Sequence, residues 1–426
     1  MQFARQWKDV TIFIPINKDA EIPEDCQLPN VVYIRLEHWY PFGAAQAQIS
    51  SELYSLFNPV NGKYQVDAIV TSKNLIGANL KRLFYNSPTL NIPVIIAEYW
   101  VQEPENLPNS VEVKLRAVSW SECRTIFHTH REKRFAITEG RRFLSAASTA
   151  EIIDRGIVRS QGLPCKFVQT IAQKTEKFDK FTLLFAARFN SNKRWKEVLS
   201  AYEDIFRMGL DVQIKAIKPN SVGLDDLKLF EKVEYFDPLG YEDYITLMSK
   251  CHVSVSMSRD EGFSMGLSEQ RCTGNPVLLP DKDWAKELVP RDYPYIYKSP
   301  TEMLAMLRYC YANYAEARSK IATTVEEFIA EHDIEVAAAG YLQIVTAEVA
   351  GTWMPFREWD PKFRDTLTVL PEQFTLDEFA KAAGKRHKAQ FGNYVVIIGA
   401  HRNLHRWLVA NTDVVLGETN LYKQRS

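Results

Sequence analysis

The 426-residue sequence predicts an α/β protein. Two Rossmann-like doubly wound domains face a cleft, and a small C-terminal winged-helix-like α+β module follows. Three observations carry this. Short β-branched runs alternate with amphipathic stretches over the first 280 residues, the pattern of a parallel sheet covered on both faces. That pattern pauses at the polar segment Gln173–Lys180 and restarts at Phe181. The last 70 residues then change character, opening with the aromatic and proline-rich connector Trp353–Pro361 and carrying a basic excess.

In chain order, the runs Val10–Ile14, Asn30–Leu36, Val66–Val70 and Ile92–Ala97 read as strands, with helix-period segments at Ala44–Phe57 and Ala78–Phe84. A shorter run, Lys166–Ile171, leads into Gln173–Lys180, read as a hinge. The second unit reads as strand Phe181–Ala186, helix Trp195–Met208, strands Val212–Ile217 and Val233–Phe236, and helix Tyr241–Lys250. The buried strand His252–Met257, a helix near Ser264–Cys272 and the strand Pro276–Leu279 complete it. Thr301–Gly351 is helical, punctuated near His332-Asp333. Beyond it, Phe374–Gly384 has a Thr cap, helical spacing and a terminating Gly. Tyr394–Ile398, a helical Asn403–Asn411, and two short strands about a tight turn in Val414–Tyr422 follow, suggesting a winged helix. The expected domains are 1–172, 178–330, a crossing helix at 331–352 and a basic module at 353–426.

Composition excludes several classes. No apolar run approaches the roughly 18–20 residues that span a bilayer, and the N-terminus lacks a signal-peptide pattern. The six cysteines form no CxxC pair, which fits reduced thiols and a cytoplasmic location better than a disulfide or zinc framework. The net charge of −1 conceals an asymmetry. From Lys381 to Ser426 eight Lys/Arg face only Asp413 and Glu418, a local +6, so the first 380 residues carry −7.

Chemistry concentrates in Ser258–Glu269, directly after a buried strand. Gly262-Phe263 lets the backbone approach a ligand closely. The helix opening near Ser264 presents free N–H groups and a positive dipole end to an anion such as a pyrophosphate. Glu261 sits at the mouth of the strand. Glu269, about two turns along the helix, is placed to accept hydrogen bonds from ribose hydroxyls. Two glutamates eight positions apart also describe many solvated helices. The preceding strand and the following Gly274-Asn-Pro-Val277 turn favour the functional reading here. Arg188 and Lys193 lie in Ala187–Lys196, a loop after a strand, where paired cations neutralise charge developing on a diphosphate. Alone, that loop would be an ordinary basic one; a shared strand-end rim with Glu261 argues otherwise.

Arg188…Lys193, Phe236-Asp-Pro-Leu-Gly240, Glu261-Gly-Phe…Glu269 and Gly274-Asn-Pro-Val277 together resemble the retaining, metal-independent nucleotide-sugar glycosyltransferases of the two-Rossmann (GT-B) type. The resemblance covers Phe181–Leu288 well and residues 1–170 in outline. It implies that Arg188 and Lys193 hold the donor diphosphate. Glu261 and the backbone of Gly262, Phe263, Ser264 and Met265 would contact the transferred sugar, and Glu269 the ribose. It further implies a UDP- or GDP-linked sugar as co-substrate, no cofactor and no metal. Two departures stand out: Asn192-Lys-Arg-Trp replaces the usual Lys-Gly, and Gln270-Arg-Cys replaces Ala-Met-Ala.

The acceptor is read from charge. A basic winged-helix module suggests double-stranded DNA. With a glycosyltransferase core it points to hydroxymethylated bases in phage DNA, flipped into the cleft. In Arg124–Arg142 six Lys/Arg face Glu132 and Glu139, a second segment placed to hold the DNA backbone, though such runs are usually solvated helix faces. The alternatives are a glycosyltransferase of cell-surface polysaccharide, lipid or protein docking through Arg131–Phe135, and a non-catalytic nucleotide-sugar or DNA-binding protein. His128-x-His130 lacks a third ligand for a metal, and His401 and His405 read as part of a basic face. The glycines of Phe42-Gly-Ala-Ala and Leu75-Ile-Gly-Ala follow strands and are expected to line the acceptor side.

Overall fold

The structure, a computed structural model, describes residues 2–37, 45–57, 63–64, 66–85, 92–98, 101, 111–218 and 227–351, and then 365, 368–371, 373–375, 378, 412–414 and 421–424. Two parallel sheets lie in separate domains. In the first, β1 (Ile12–Asn17) pairs with β2 (Val31–Leu36), and β3 (Ile69–Thr71), β4 (Val94–Ala97), β5 (Arg124–Phe127) and β6 (Gly156–Val158) form a four-stranded parallel sheet. Both groups share one core. Ile34 and Leu36 pack with Ile49, Leu80, Val94 and Ile96, the helices Ala45–Phe57 and Asn74–Tyr85 covering the strands.

The second domain holds β7 (Phe181–Phe185), β8 (Val212–Ile217), β9 (Val233–Phe236), β10 (Val253–Val255), β11 (Val277–Pro280) and β12 (Ile296–Tyr297). Their spatial order is β12-β11-β10-β7-β8-β9, all neighbours parallel. Read from β9, this is the doubly wound 3-2-1-4-5-6 order, with its reversal between β7 and β10. The strands are near-continuous apolar runs because both faces are covered. Leu183, Leu184, Val253, Val277 and Leu278 are almost wholly enclosed. The helices Trp195–Arg207 and Tyr241–Lys250 cover them, presenting Val198, Leu199, Tyr202, Ile245 and Met248 to the core.

Two expectations need correction. Lys166–Ile171 belongs to the helix Cys165–Lys174, whose Cys165 and Val168 sit in the second core. Phe167, Val168 and Ile171 satisfy a helical period as well as they satisfy a short strand. Gln173–Lys180 is not where the chain changes domain. Lys177 Nζ donates to the carbonyls of Ser249 and Cys251 and to Asn275 Oδ1, anchoring that segment. The passage between cores falls upstream, at Arg159–Gly162, since Ile157 packs in the first domain and Leu163 in the second core. Thr301–Gly351 is helical and broken at Asp333, as expected, and resolves into Pro300–Ala312, Tyr314–Ser319, Ala322–His332 and Ile334–Gly351.

The last of these helices returns to the first domain. Tyr341 and Ile344 pack on Ile95 and Ile126, Trp7 Nε1 donates to the Ala338 carbonyl at 2.8 Å, and Arg124 pairs with Glu348 at 2.6 Å. Buried Asp333 fixes this return. Its Oδ1 accepts from Glu335 N and its Oδ2 from Lys166 N, both at 3.1 Å. In the tail, β13 (Gln373–Thr375), β15 (Leu421–Gln424) and β14 (Thr412–Val414) form an antiparallel sheet in that order. Of the strands expected in Val414–Tyr422, Val414, Leu421 and Tyr422 lie in strands, with Val414 opposite Tyr422, and residues 415–420 lie outside the described residues. Most of the Phe374–Gly384 helix, Tyr394–Ile398 and Asn403–Asn411 lie outside the described residues, as does the Phe42-Gly-Ala-Ala segment.

Gly162, beside the return point, has φ +78°, and a Cβ there would sit 2.6 Å from Ala337 Cβ. Gly209 has φ +79° with nothing within 4 Å. An L-residue in this region costs about 1 kcal/mol or somewhat more, and only Gly162 adds a collision. Gly162→Ala is therefore expected to lower the thermal midpoint clearly more than Gly209→Ala. Equal shifts in parallel melts would remove the packing argument.

Candidate functional site

The site opens where β7 and β10 part. Their pairing ends at Ser254↔Leu184. There the buried hydroxyl of Tyr202 enters between the strands, donating to the Leu184 carbonyl and accepting from Val255 N, each at 2.8 Å. Beyond it the loops 186–194 and 256–264 diverge and flank a cavity of about 740 Å³. Arg188, Lys193, Glu261, Gly262, Phe263, Ser264, Met265 and Glu269 all line it. The two loops are stitched together by Asn192 Nδ2 donating to the Asp260 carbonyl at 2.8 Å and Arg259 N to the Asn192 carbonyl at 2.9 Å.

The charged side chains differ in state. Arg188 is exposed and has no ion-pair partner among the described residues. Lys193 is only 16% exposed and pairs with Glu261, which is 8% exposed. Their mutual attraction offsets part of the cost of desolvating both charges. The helix Met265–Cys272 begins at Ser264, whose left-handed φ of 48° turns the chain without a side-chain cap, so its first N–H groups are left for another acceptor. Gly266 lies close to the facing loop: a Cβ there would sit 3.3 Å from the Tyr244 hydroxyl and 3.6 Å from the Ala186 carbonyl.

Glu269 is buried, and its Oε1 accepts from the Tyr241 hydroxyl at 2.9 Å. Burial pushes its pKa up to about 7, against the opposing pull of the Tyr241 hydrogen bond. The Tyr241 ring stacks on Phe167, 6.1 Å between centroids and 13° between planes. Tyr241 and Tyr202 were not singled out in the sequence. Both lie at helical core spacing, where a tyrosine reads as packing, and only the three-dimensional neighbour reveals the hydroxyl's use.

Arg124–Arg142 proves to be engaged within the protein. Arg124 pairs with Glu348, Arg131 with Asp260, Arg134 with Glu287 and, at 3.9 Å, Arg142 with Glu139. Lys133 Nζ donates to the carbonyls of Ile153 and Gly156. Arg131–Phe135 is therefore not a free amphipathic face for a membrane, since Arg131 and Glu132 are themselves buried. His128 is buried, its Nδ1 3.3 Å from the Arg159 carbonyl, and burial pushes its pKa down to about 4. Among the described residues no three His, Cys, Asp or Glu cluster in a metal-binding arrangement, and no helix is long and apolar enough to cross a membrane.

No family model matches the sequence, and no curated protein matches it. Solved structures do. A HepE protein of Anabaena, in complex with UDP and glucose, aligns with a TM-score of 0.60 at 12% identity, covering 81% of this chain and 94% of its own. Sucrose-phosphate synthase of Thermosynechococcus elongatus aligns at 0.62 and 15% identity, covering 82% and 92%. A UDP-forming trehalose-phosphate synthase of Burkholderia xenovorans aligns at 0.55 and 12% identity, covering 72% and 77%. The chain has the GT-B fold. At these identities the likeness is one of architecture, two parallel sheets in separate domains.

The raised Glu269 pKa carries a stability signature. The folded protein holds that proton more tightly than the unfolded chain. The group's contribution is therefore fully present below the ordinary carboxylate range and is lost as pH rises through about 7. A displacement of this size corresponds to about 3 kcal/mol. Glu269→Gln keeps an acceptor for Tyr241 and removes the charge. Its unfolding free energy relative to wild type should rise by about 2 to 3 kcal/mol from pH 5 to pH 8. A pH-independent difference in denaturant titrations would show an unperturbed carboxyl.

Proposed function

We propose that the protein is a glycosyltransferase that moves a hexosyl or pentosyl group from a nucleotide-sugar to an acceptor hydroxyl. One observation carries this reading: the eight residues expected at a donor site line a single cavity at the strand-order reversal, where doubly wound sheets bind nucleotides. The GT-B architecture supports it.

In this reading Arg188 takes the diphosphate directly, and Lys193 serves both Glu261 and the phosphate. The open N-terminus of the Met265–Cys272 helix faces the same anion. As the bond from the anomeric carbon to the diphosphate breaks, negative charge grows on the leaving oxygen. Fixed cations and N–H groups are worth most at that point in a water-poor cleft. Glu261, with the backbone from Gly262 to Met265, holds the sugar. Glu269 turns its second carboxylate oxygen to the ribose. Retention of anomeric configuration is proposed from the resemblance. Arg188→Ala and Glu261→Ala should each lower turnover of a UDP- or GDP-hexose panel by about 10²-fold or more, the range seen when one such stabilising group is removed. Full turnover in folded variants would defeat the assignment.

For the acceptor we infer a hydroxymethylated base in duplex DNA, as phages use. The +6 charge of residues 381–426 on a body of −7 supports it, and so does the small antiparallel sheet of β13, β15 and β14, which suits a wing. Binding to duplex DNA should weaken steeply with salt and vanish on deletion of residues 360–426. Absence of binding at low salt would reject DNA and return the acceptor to saccharide, lipid or protein.

A further inference from the structure

We infer that Arg131 is a positioning residue of the first domain that couples closure of the two domains to the shape of the Asp260–Met265 loop. This rests on the donor-site reading above. Arg131 lies in the first turn of the helix His130–Phe143, directly after β5, yet its side chain is only 4% exposed because it reaches into the second domain. Nη1 donates to the Glu261 carbonyl at 2.7 Å, and Nη2 pairs with the Asp260 carboxylate. The guanidinium carbon stands 4.3 Å from the Phe135 ring centroid. A second tie crosses beside it. Glu287 of the second domain accepts from Arg131 N at 2.9 Å and pairs with Arg134 at 2.9 Å.

Residues 260 and 261 are thus held from both sides of the cleft. The Asp260 carbonyl is taken by Asn192 and the Glu261 carboxylate by Lys193, both within the second domain. The Asp260 carboxylate and the Glu261 carbonyl are taken by Arg131 alone among the described residues. Fixing the Glu261 carbonyl fixes the plane of the following peptide, and so turns the Gly262 N–H to the opposite side. Gly262 lines the cavity. When the domains separate, that plane loses its restraint by Arg131.

The energetics suit a device that opens. Desolvating Arg131 and Asp260 costs several kcal/mol per ion, and their attraction and hydrogen bonds roughly offset it. Rehydration on opening therefore makes the intact pair only weakly biased. Loss of one partner leaves a buried unpaired charge and drives the domains apart, while neither core includes the pair.

The test uses the full chain with UDP-glucose and GDP-mannose as donors and UDP and GDP as binding probes. Arg131→Ala and Asp260→Asn should each lower kcat at least tenfold and leave calorimetric nucleotide affinity within threefold, because the nucleotide's ligands belong to the second domain. Small-angle X-ray scattering should show both variants more open than wild type. Arg131→Lys should restore closure and only part of kcat, since a lysine supplies the charge for Asp260 but not the planar fork. The double variant should be no worse than the worse single one. Unchanged kcat and scattering would overturn the inference, as would an equal fall in kcat and nucleotide affinity. If wild type turns over no donor yet Arg131→Ala still opens the molecule, the glycosyltransferase reading fails and the closure role stands.

Discussion

The geometry of the site depends on how β7 and β10 separate. They are neighbours in a parallel sheet, but their connections leave in opposite directions, so the loops after them part to leave a crevice and meet again only at Asn192, Arg259 and Asp260. The parting is enforced chemically. Two residue pairs join the strands, and then the Tyr202 hydroxyl occupies the gap, satisfying Leu184 O and Val255 N together. A buried strand end without that hydroxyl would leave one donor and one acceptor unpaired, at about 1–3 kcal/mol each. The same tyrosine that completes the core therefore holds the mouth of the crevice open. Arg188, Lys193 and Glu261 all lie on the two loops it separates.

Those loops carry an unusual density of buried charge, and each charge has its own mode of compensation. Glu261 is neutralised by Lys193, Asp260 by Arg131, and Glu269 by a proton as much as by the Tyr241 hydroxyl. Arg188 is the exception, exposed on the cavity wall. This division suits the proposed donor site, in which an incoming diphosphate would meet one cation not already committed.

Much of the fold was legible because parallel strands buried on both faces declare themselves. Val212–Ile217, Val233–Phe236 and the helix Tyr241–Lys250 match their sequence limits. β5 and β6 did not declare themselves. β5 begins with Arg124, and β6 is three residues beginning with Gly156, so neither shows an apolar run. Glu261 to Glu269 were readable from local order, strand then Gly-Phe then helix, whereas Arg188 and Lys193 were singled out by the strand-end rim they share with Glu261. What joins the two domains was not. Arg131 in a run of six basic residues is indistinguishable from a solvated charge until Asp260, 129 positions away, is brought beside it.

That last point bears on where an acceptor is recognised. Counted in the sequence, Arg124–Arg142 offers a local +4; in the fold, Arg124, Arg131 and Arg134 pair with Glu348, Asp260 and Glu287, carboxylates from outside that segment. Charge already paired contributes little to long-range attraction, because the field of a close ion pair falls off much faster than that of a single charge. The first domain therefore presents a weaker positive field than its sequence suggests. The eight basic residues from Lys381 onward meet only two acidic ones within their own segment. If a polyanion is the acceptor, as proposed, the basic excess of residues 381–426 is the stronger source of attraction in the sequence.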